Sequence, residues 1–170
     1  RDRGAGAPQL IGLRFGTVIG NSIGQRTDLS YMALVKSAVL TGVLHVTHRE
    51  TWRAYLWLED QIRAIESIAA EPGKAHRYEI FHLASFGATI GKAASTTAMR
   101  LGARVHTHRP DGPDKAGFTL NASRFASRFG FEFKGTHDRV VADLEEHLPG
   151  SVTAKGAHRQ VPPSVGYGPG

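Results

Sequence analysis

His106 and His108 are the first residues whose types and spacing could do chemistry. Because they are two residues apart in a predicted strand, their side chains share one face, and imidazole nitrogens bind transition metals. The sequence shows no third ligand for this pair, and His45 and His48 lack companions in the same way. We therefore predict no metal site and expect these histidines to face solvent.

Other catalytic patterns do not stand out. The chain has no cysteine, which excludes a disulfide framework, a thiolate zinc site and a cysteine nucleophile. The acidic pairs Glu59–Asp60 and Glu145–Glu146 are adjacent in sequence, so on a helix their carboxylates point to different sides. We find no Ser-His-Asp arrangement and no phosphate-binding loop, and whether this chain catalyses a reaction by itself stays open.

The composition limits the class of protein. The 170 residues are 41% hydrophobic and 21% charged, which is typical of one globular domain and excludes a disordered or coiled-coil chain. The formal net charge of +6 favours anionic partners, but the basic residues are scattered, so nucleic-acid binding is a weak alternative. No apolar stretch approaches the about 20 residues of a membrane span, and no signal peptide is visible. We expect a cytoplasmic protein without membrane contact.

Apolar periodicity predicts alternating strands and helices. The run Leu10–Gly20 is nearly all apolar and bounded by glycine, which is typical of a strand buried on both faces of a parallel sheet. Helical spacing occurs over 29–40, from Asp60 to the residues before Pro72, and over 89–101, 123–129 and 138–148. Strand-like segments occur at 44–46, 51–58, 78–83 and 105–109. This order is an α/β pattern.

The position of the first strand bears on the domain organisation. A strand that is apolar on both faces needs neighbouring strands and covering helices, yet Leu10–Val18 stands at the start of the chain and few strands follow it. We therefore expect the chain to be the second half of a larger α/β protein. From residue 149 the composition shifts to Gly, Pro, Ser and basic residues, and 149–170 is expected to be a flexible tail.

Several segments resemble, in order, motifs of the NAD-dependent epimerase/dehydratase family, the extended short-chain dehydrogenases/reductases. They are Leu13–Gly20 (L-R-[YF]-x-[NT]-V-[YF]-G), Arg53–Asp60 (R-D-[YF]-[IV]-x-V-x-D), Phe81–Ser85 ([VI]-[YF]-N-[LI]-G), Arg109–Asp114 (R-x-G-D), and Leu120–Arg124 with Phe129–Phe131 (D-x-S-K…L-G-[WF]). The resemblance spans about Gln9 to Leu148.

The resemblance implies the C-terminal portion of a Rossmann-type NAD-binding fold plus a small α/β substrate-binding domain. Residues 1–20 are then the last part of the dinucleotide-binding domain, and 21–148 the substrate domain with interleaved return elements. The family's glycine fingerprint G-x-x-G-x-x-G and catalytic Y-x-x-x-K are not in this sequence. They are expected before Arg1, so NAD is expected to be bound mainly by a missing N-terminal half.

Two near-matches to these motifs fail on spacing. Gly16, Gly20 and Gly24 are four apart with no helix directly after them, whereas a pyrophosphate-binding loop needs a tight turn that leads into a helix. Tyr31 and Lys36 are five apart, which places them on different faces of a helix. We predict that neither set does the family's chemistry and assign no catalytic residue.

Two arginines are candidate phosphate ligands by resemblance. Arg53 is expected to contact the diphosphate of a nucleoside-diphosphate sugar, because a guanidinium gives bidentate, charge-assisted bonds to phosphate oxygens. Ala54 stands where the family usually has Asp. The alternative for Arg53 is pairing with a surface carboxylate. Arg109, from the R-x-G-D turn, is the second candidate, and its alternative is a loop arginine in solvent.

Five smaller candidates follow from the same resemblance. Thr17 can donate a bond to the sugar or phosphate where relatives have Asn, or be satisfied within its strand. Tyr31 can stack on the sugar or pack in an amphipathic helix, and Asn21 carries the same ambiguity. Gly16 and the preceding Phe15 are candidate contacts of the cofactor, since glycine allows close approach. Gly16 can equally serve packing alone.

Three functions are compatible with these features. The first is the substrate-binding part of an NAD-dependent nucleotide-sugar epimerase/dehydratase, whose partners are a nucleoside-diphosphate sugar and the missing half or a complementary chain; a homo-oligomer is also allowed for. The second is a non-catalytic truncated homologue that acts as a binding protein. The third and weaker one is a basic nucleic-acid-binding domain. A glycine fingerprint and Y-x-x-x-K encoded in frame before Arg1 would favour the first over the second.

Overall fold

The structure is a computed structural model, and it describes residues 9–23, 26, 28–109 and 116–147. The tail expected at 149–170 lies outside these ranges, as does most of the turn that follows Arg109. The boundary expected near residue 20 between two domains stays a prediction.

Strands and helices alternate along the described chain, which confirms the α/β class. The strands are β1 (Leu10–Phe15), β2 (Thr17–Ile19), β3 (Val43–Val46), β4 (Trp52–Trp57), β5 (Tyr78–Leu83), β6 (Phe86–Thr89) and β7 (Arg104–Thr107). The helices are α1 (Ser30–Thr41), α2 (Leu58–Ala70), α3 (Ile90–Leu101), α4 (Ser123–Phe129) and α5 (His137–His147), with a short 3₁₀ turn at Pro72–Lys74. All five predicted helices are present, and β6 is a strand that periodicity did not predict.

The strands form three small sheets. β1 pairs in parallel with β5, and β3 pairs in parallel with β7. The third sheet has the order β2-β4-β6, in which β2 is parallel and β6 antiparallel to β4. Parallel pairs joined through helices are the pattern of a doubly wound α/β protein.

The first apolar run divides at Gly16 and passes from one sheet into the next. A Cβ at this position would lie 2.9 Å from the carbonyl oxygen of Ala54, so only glycine lets the chain cross β4 this closely. The Gly16 amide donates to the carbonyl of Leu83 (2.9 Å), which ties the crossing point to the end of β5. The single strand predicted over this run is therefore two strands, β1 and β2.

β1 is not buried on both faces by the described part of the chain, which agrees with the expectation that its covering elements are not in this sequence. One face of the β1–β5 pair packs on the core through partly buried Ile11 and Leu13. The opposite face is open, with Leu10 66%, Tyr78 65% and Ile80 49% exposed. Two-stranded parallel sheets are rarely left this open, because parallel sheets are normally covered on both sides.

Two hydrophobic cores hold these sheets and helices together. The larger one lies where α1, α3 and α5 pack over the β3–β7 pair and β4, and it includes fully buried Tyr31, Val35 and Val140. The second core lies beneath the β1–β5 pair, where Phe81 meets Phe125 and Phe129 of α4 at ring distances of 5.5 and 5.6 Å. Offset and edge-on contacts of this kind add to the energy of burial.

A buried carboxylate joins the two ends of the fold. Asp60 is fully buried at the start of α2, and each of its oxygens accepts two hydrogen bonds. Oδ1 accepts from Arg63 Nη1 (2.8 Å) and the Lys134 amide (2.9 Å), and Oδ2 from Ser85 Oγ (2.6 Å) and the Gly135 amide (2.7 Å). A buried charge is tolerated because every lone pair has a donor.

Among the described residues, the structure contains no helix that is both long enough and apolar enough to cross a membrane.

Candidate functional site

Strand β4 places the candidate arginine beside a groove. Arg53 is half-buried and lies with Asp28, Ser30 and His45 on the wall of a groove of about 570 Å³. The groove runs between α1 and the carboxyl end of β3, and Leu44 and Val46 supply part of its apolar floor. The lining thus carries one guanidinium, from Arg53, and one carboxylate, from Asp28, together with apolar side chains.

The Arg53 guanidinium is oriented by main-chain carbonyls. Nη1 donates to the carbonyls of Trp52 (3.0 Å) and Ala116 (2.9 Å), and the guanidinium carbon lies 5.7 Å from the centre of the Phe118 ring. The alternative of pairing with a carboxylate is not what the described residues show. Since both bonds use Nη1, the remaining N–H groups can still donate to a ligand.

Three aromatic rings pack together where β4 meets α1 and β6. Tyr55 lies two residues along β4, and its ring centre is 4.8 Å from that of Tyr31 and 5.5 Å from that of Phe86. The hydroxyls of Tyr55 and Ser30 are 3.0 Å apart, where either can donate. Burial raises the pKa of Tyr55 above its usual value, so the hydroxyl stays protonated and neutral.

Tyr31 lies in the core rather than on the groove wall. Its side chain is fully buried, and its hydroxyl bonds to His137 Nδ1 at the start of α5. Burial is the main reason why the pKa of Tyr31 is raised. Burial also lowers the pKa of His137, and the nearby charge of Lys92 lowers it further. Both groups are thus held neutral. This position matches the packing alternative for Tyr31.

Thr17 and Asn21 lie at either end of β2. Thr17 is paired with Tyr55 in the parallel ladder and is half-buried. The Asn21 amide donates to Asp143 Oδ2 (3.2 Å), an atom that also accepts from the indole N–H of Trp57 (3.1 Å). Asp143 of α5 therefore fixes the turn after β2. A smaller cavity of about 200 Å³, partly lined by Val18 and Ile19, opens beside this turn.

The two candidate cofactor residues differ in their surroundings. Phe15 is 38% exposed at the carboxyl end of β1, where ligands of parallel α/β sheets usually bind. Gly16 faces the main chain of Ala54, so close packing of strands accounts for that glycine. Arg109 is exposed just after β7. The structure thus places Arg53, Thr17, Tyr31 and Gly16 in or against β4, whereas Asn21 and Arg109 lie elsewhere.

Ser30 and His45 line the groove and buried Tyr55 contacts Ser30, and none of the three was predicted there. Their types gave a weak signal, since serine, tyrosine and histidine are common at surfaces and in helices. The contact between Ser30 and Tyr55 joins residues 25 apart, and α1 and β3 meet at the groove only through tertiary packing. For Tyr55, the one available signal was its place in the segment Arg53–Asp60, which resembles a family motif.

The chemistry of this arrangement is binding. It offers a guanidinium, hydroxyls and apolar surface, but the described part of the chain holds no cluster of three or more acidic or histidine side chains arranged for a metal ion. Both tyrosines near the groove are neutral and buried, so neither presents a phenolate to a ligand.

Comparison with known proteins relates this geometry to solved structures. No protein-family model and no curated protein sequence matches the chain. Among solved structures, MoeE5 in complex with UDP-glucuronic acid and NAD matches with a TM-score of 0.64, 22% identity and 79% coverage of this chain. A dTDP-glucose 4,6-dehydratase from Bacillus anthracis in complex with NAD matches with a TM-score of 0.65, 18% identity and 81% coverage.

A third match covers a similar share of the chain. A UDP-glucuronic acid 4-epimerase from Bacillus cereus, in complex with UDP-glucuronic acid and NAD, has a TM-score of 0.65 and 17% identity over 84% of this chain. The match covers 45%, 45% and 44% of the three proteins, so the chain spans less than half of their length. At these identities the likeness is one of fold. The chain therefore has an α/β fold that matches the C-terminal part of Rossmann-like, NAD-dependent nucleotide-sugar epimerases and dehydratases.

Proposed function

We propose that this chain is the substrate-binding part of an NAD-dependent nucleotide-sugar epimerase or dehydratase. The observation that carries the proposal is the placement of Arg53 on the wall of a groove with an apolar floor, within a fold whose matched structures hold NAD and UDP-sugars. On this proposal the ligand is a nucleoside-diphosphate sugar. The chain binds and orients it, and a dinucleotide-binding half completes the enzyme.

Groove residues and neighbouring candidates have separate roles in this proposal. Arg53 donates its remaining N–H groups to the diphosphate, where a planar fork gives two parallel charge-assisted bonds. Ser30 and Thr17 offer hydroxyls to the ligand, and Arg109 is a second phosphate ligand on the following loop. Tyr31 acts through packing, because its ring supports Tyr55 and the β4 strand that carries Arg53.

NAD accepts and returns a hydride when bound, and this chain fits only a small part of it. Phe15, exposed at the carboxyl end of β1, is the residue that can lie against the cofactor. Gly16 is closed off by the main chain of Ala54, so it forms no open cradle. No tyrosine in the sequence is followed four residues later by lysine. On this proposal the proton-transfer pair and most of the NAD site belong to the other half.

The open face of the β1–β5 pair supports a partner half. Leu10, Tyr78 and Ile80 form an exposed apolar strip on a parallel sheet, which is the kind of surface that a covering layer normally buries. The outer edges of both strands also offer main-chain groups for further pairing. A dinucleotide-binding half placed here would extend the sheet and cover the strip.

The test is a calorimetric titration of the chain with UDP-glucose and UDP-glucuronic acid, alone and with a complementing N-terminal half. We expect Arg53→Ala to weaken binding by about 1–3 kcal/mol, which is roughly 5- to 150-fold, as for a lost bond to a charged group. Arg104→Ala, an exposed arginine of β7, is the matched control and should leave the affinity unchanged.

Two outcomes would contradict the proposal at different levels. Equal affinity in Arg53→Ala and the parent chain would remove Arg53 from the site. Failure of the parent chain to bind any nucleoside-diphosphate sugar, even with the complementing half present, would remove the function. Salt-sensitive binding of DNA in its place would favour the nucleic-acid alternative.

A further inference from the structure

Three histidines meet on the exposed face of the β3–β7 pair. His45 of β3 stands opposite His106 of β7 in the parallel register, and His108 follows two residues later on the same side. The main chain is fixed at both ends of this ladder, since the Arg104 amide donates to Gly42 (2.9 Å) and the His108 amide donates to Val46 (2.9 Å). The backbone thus holds the three histidines in a fixed relation.

The side chains converge on His45. Its Nδ1 lies 2.7 Å from His108 Nε2, and the two ring centres are 5.0 Å apart. The centre of the His106 ring lies 5.8 Å from that of His45. All three residues are exposed. A hydrogen bond between two exposed imidazoles adds little stability, because water offers the same bonds.

We propose that His45 and His108 form a two-histidine site for a divalent transition-metal ion such as Zn²⁺, Cu²⁺ or Ni²⁺. Metal–nitrogen bonds of about 2.0–2.1 Å in tetrahedral geometry place two ligating nitrogens roughly 3.3 Å apart. The observed 2.7 Å therefore has to open by about 0.6 Å, which small rotations of two exposed side chains provide. The ion takes the place of the proton that the two nitrogens share.

The donor set favours these metals over hard cations. The ladder segments 43–46 and 104–107 carry no carboxylate, and imidazole nitrogens suit Zn²⁺, Cu²⁺ and Ni²⁺, whereas Mg²⁺ and Ca²⁺ take oxygen ligands. Within the described ranges no group of three His, Asp or Glu residues is already arranged around one point. Water, or His106 after rotation of its ring, completes the coordination. His45 also lies on the wall of the groove, but the metal proposal rests on the geometry of the histidines and not on the nucleotide-sugar proposal.

The test is a Zn²⁺ titration of the full chain, purified without a histidine tag, by calorimetry and thermal unfolding. We expect each chain to bind one Zn²⁺ ion. The affinity for Zn²⁺ should fall at least 10-fold in His45→Gln and in His108→Gln, and by a smaller factor in His106→Gln. His76→Gln is the matched control, since His76 is an exposed histidine on another part of the surface. The ion joins residues 63 apart, so Zn²⁺ should raise the melting temperature of the parent but not of His45→Gln.

A second measurement covers the case in which a variant does not fold. Electron paramagnetic resonance of the parent chain loaded with one equivalent of Cu²⁺ should show two or more imidazole nitrogens on the ion. A spectrum that shows only one imidazole nitrogen on the Cu²⁺ ion would overturn the proposal. Unchanged Zn²⁺ affinity in the folded double variant His45→Gln/His108→Gln would overturn it as well.

Discussion

Asp60→Asn tests the buried carboxylate that joins α2 to the segment before α5. The asparagine NH₂ group has to replace one of two oxygens, each of which faces two donors. At the Oδ2 position, the Ser85 hydroxyl can turn to accept, and the Gly135 amide alone loses its acceptor. At the Oδ1 position, Arg63 and the Lys134 amide both lose theirs. The first arrangement therefore costs less and sets the expected effect.

The magnitude follows from counting these bonds. One buried N–H without an acceptor costs about 1–3 kcal/mol, and the remaining bonds weaken because the acceptor is no longer charged. We expect the free energy of unfolding to fall by about 3–5 kcal/mol, as for other broken buried ion pairs. With a urea slope of about 2 kcal/mol per molar, the midpoint should fall by roughly 1.5–2.5 M.

The assay is urea unfolding followed by far-ultraviolet circular dichroism and tryptophan fluorescence. Glu59→Gln is the matched control, because Glu59 is exposed at the neighbouring position and should change stability by less than about 0.5 kcal/mol. Ser85→Ala should lie between the two, since it removes one donor and leaves three. If Asp60→Asn changed the free energy of unfolding by less than about 0.5 kcal/mol, the conclusion that this carboxylate stabilises the fold would be refuted.

Four further outcomes are expected. Gly135→Ala should unfold at clearly lower urea than Gly73→Ala, because a Cβ at Gly135 would lie 2.6 Å from another side chain whereas the site at Gly73 is open; equal midpoints would contradict this. Thr97→Val should raise the free energy of unfolding by about 1 kcal/mol, because the buried Thr97 hydroxyl lacks a hydrogen-bond partner within the described ranges. A less stable Thr97→Val variant would contradict this prediction. Because burial lowers the pKa of His137, the unfolded chain binds its proton more readily and stability should fall as the pH drops below about 6.5, with a smaller slope in His137→Gln. Ile80→Ser should reduce binding of a hydrophobic dye to the isolated chain, and a parent chain that binds no dye would show that the strip is covered.

Periodicity predicted the helices well because each buries a stripe at helical spacing. It did not predict β6, since Phe86–Thr89 contains glycine and becomes a strand only by pairing antiparallel with β4. It joined β1 and β2 into one strand, because the need for glycine at position 16 arises from the main chain of Ala54, far away in sequence. Local sequence carries no record of such contacts.

The candidate site was predictable to a similar degree. Arg53 was identified from the segment it belongs to, and its contacts with Ala116 and Phe118 were not, because they come from a loop 63 and more residues later. A helical pattern alone left Tyr31 open between ligand and core, and only tertiary packing decides where its ring lies. The three-histidine cluster escaped prediction because parallel pairing of β3 and β7 sets its register.

The carboxylate of Asp60 also has a consequence for the order in which the molecule is made. Three of its four partners lie 25, 74 and 75 positions further on, so on a ribosome the nascent chain exposes α2 long before the amides of Lys134 and Gly135 emerge. Until then the carboxylate stays hydrated and this half of the molecule cannot close. Premature termination or proteolytic clipping before Lys134 would therefore disable a region that was synthesised much earlier.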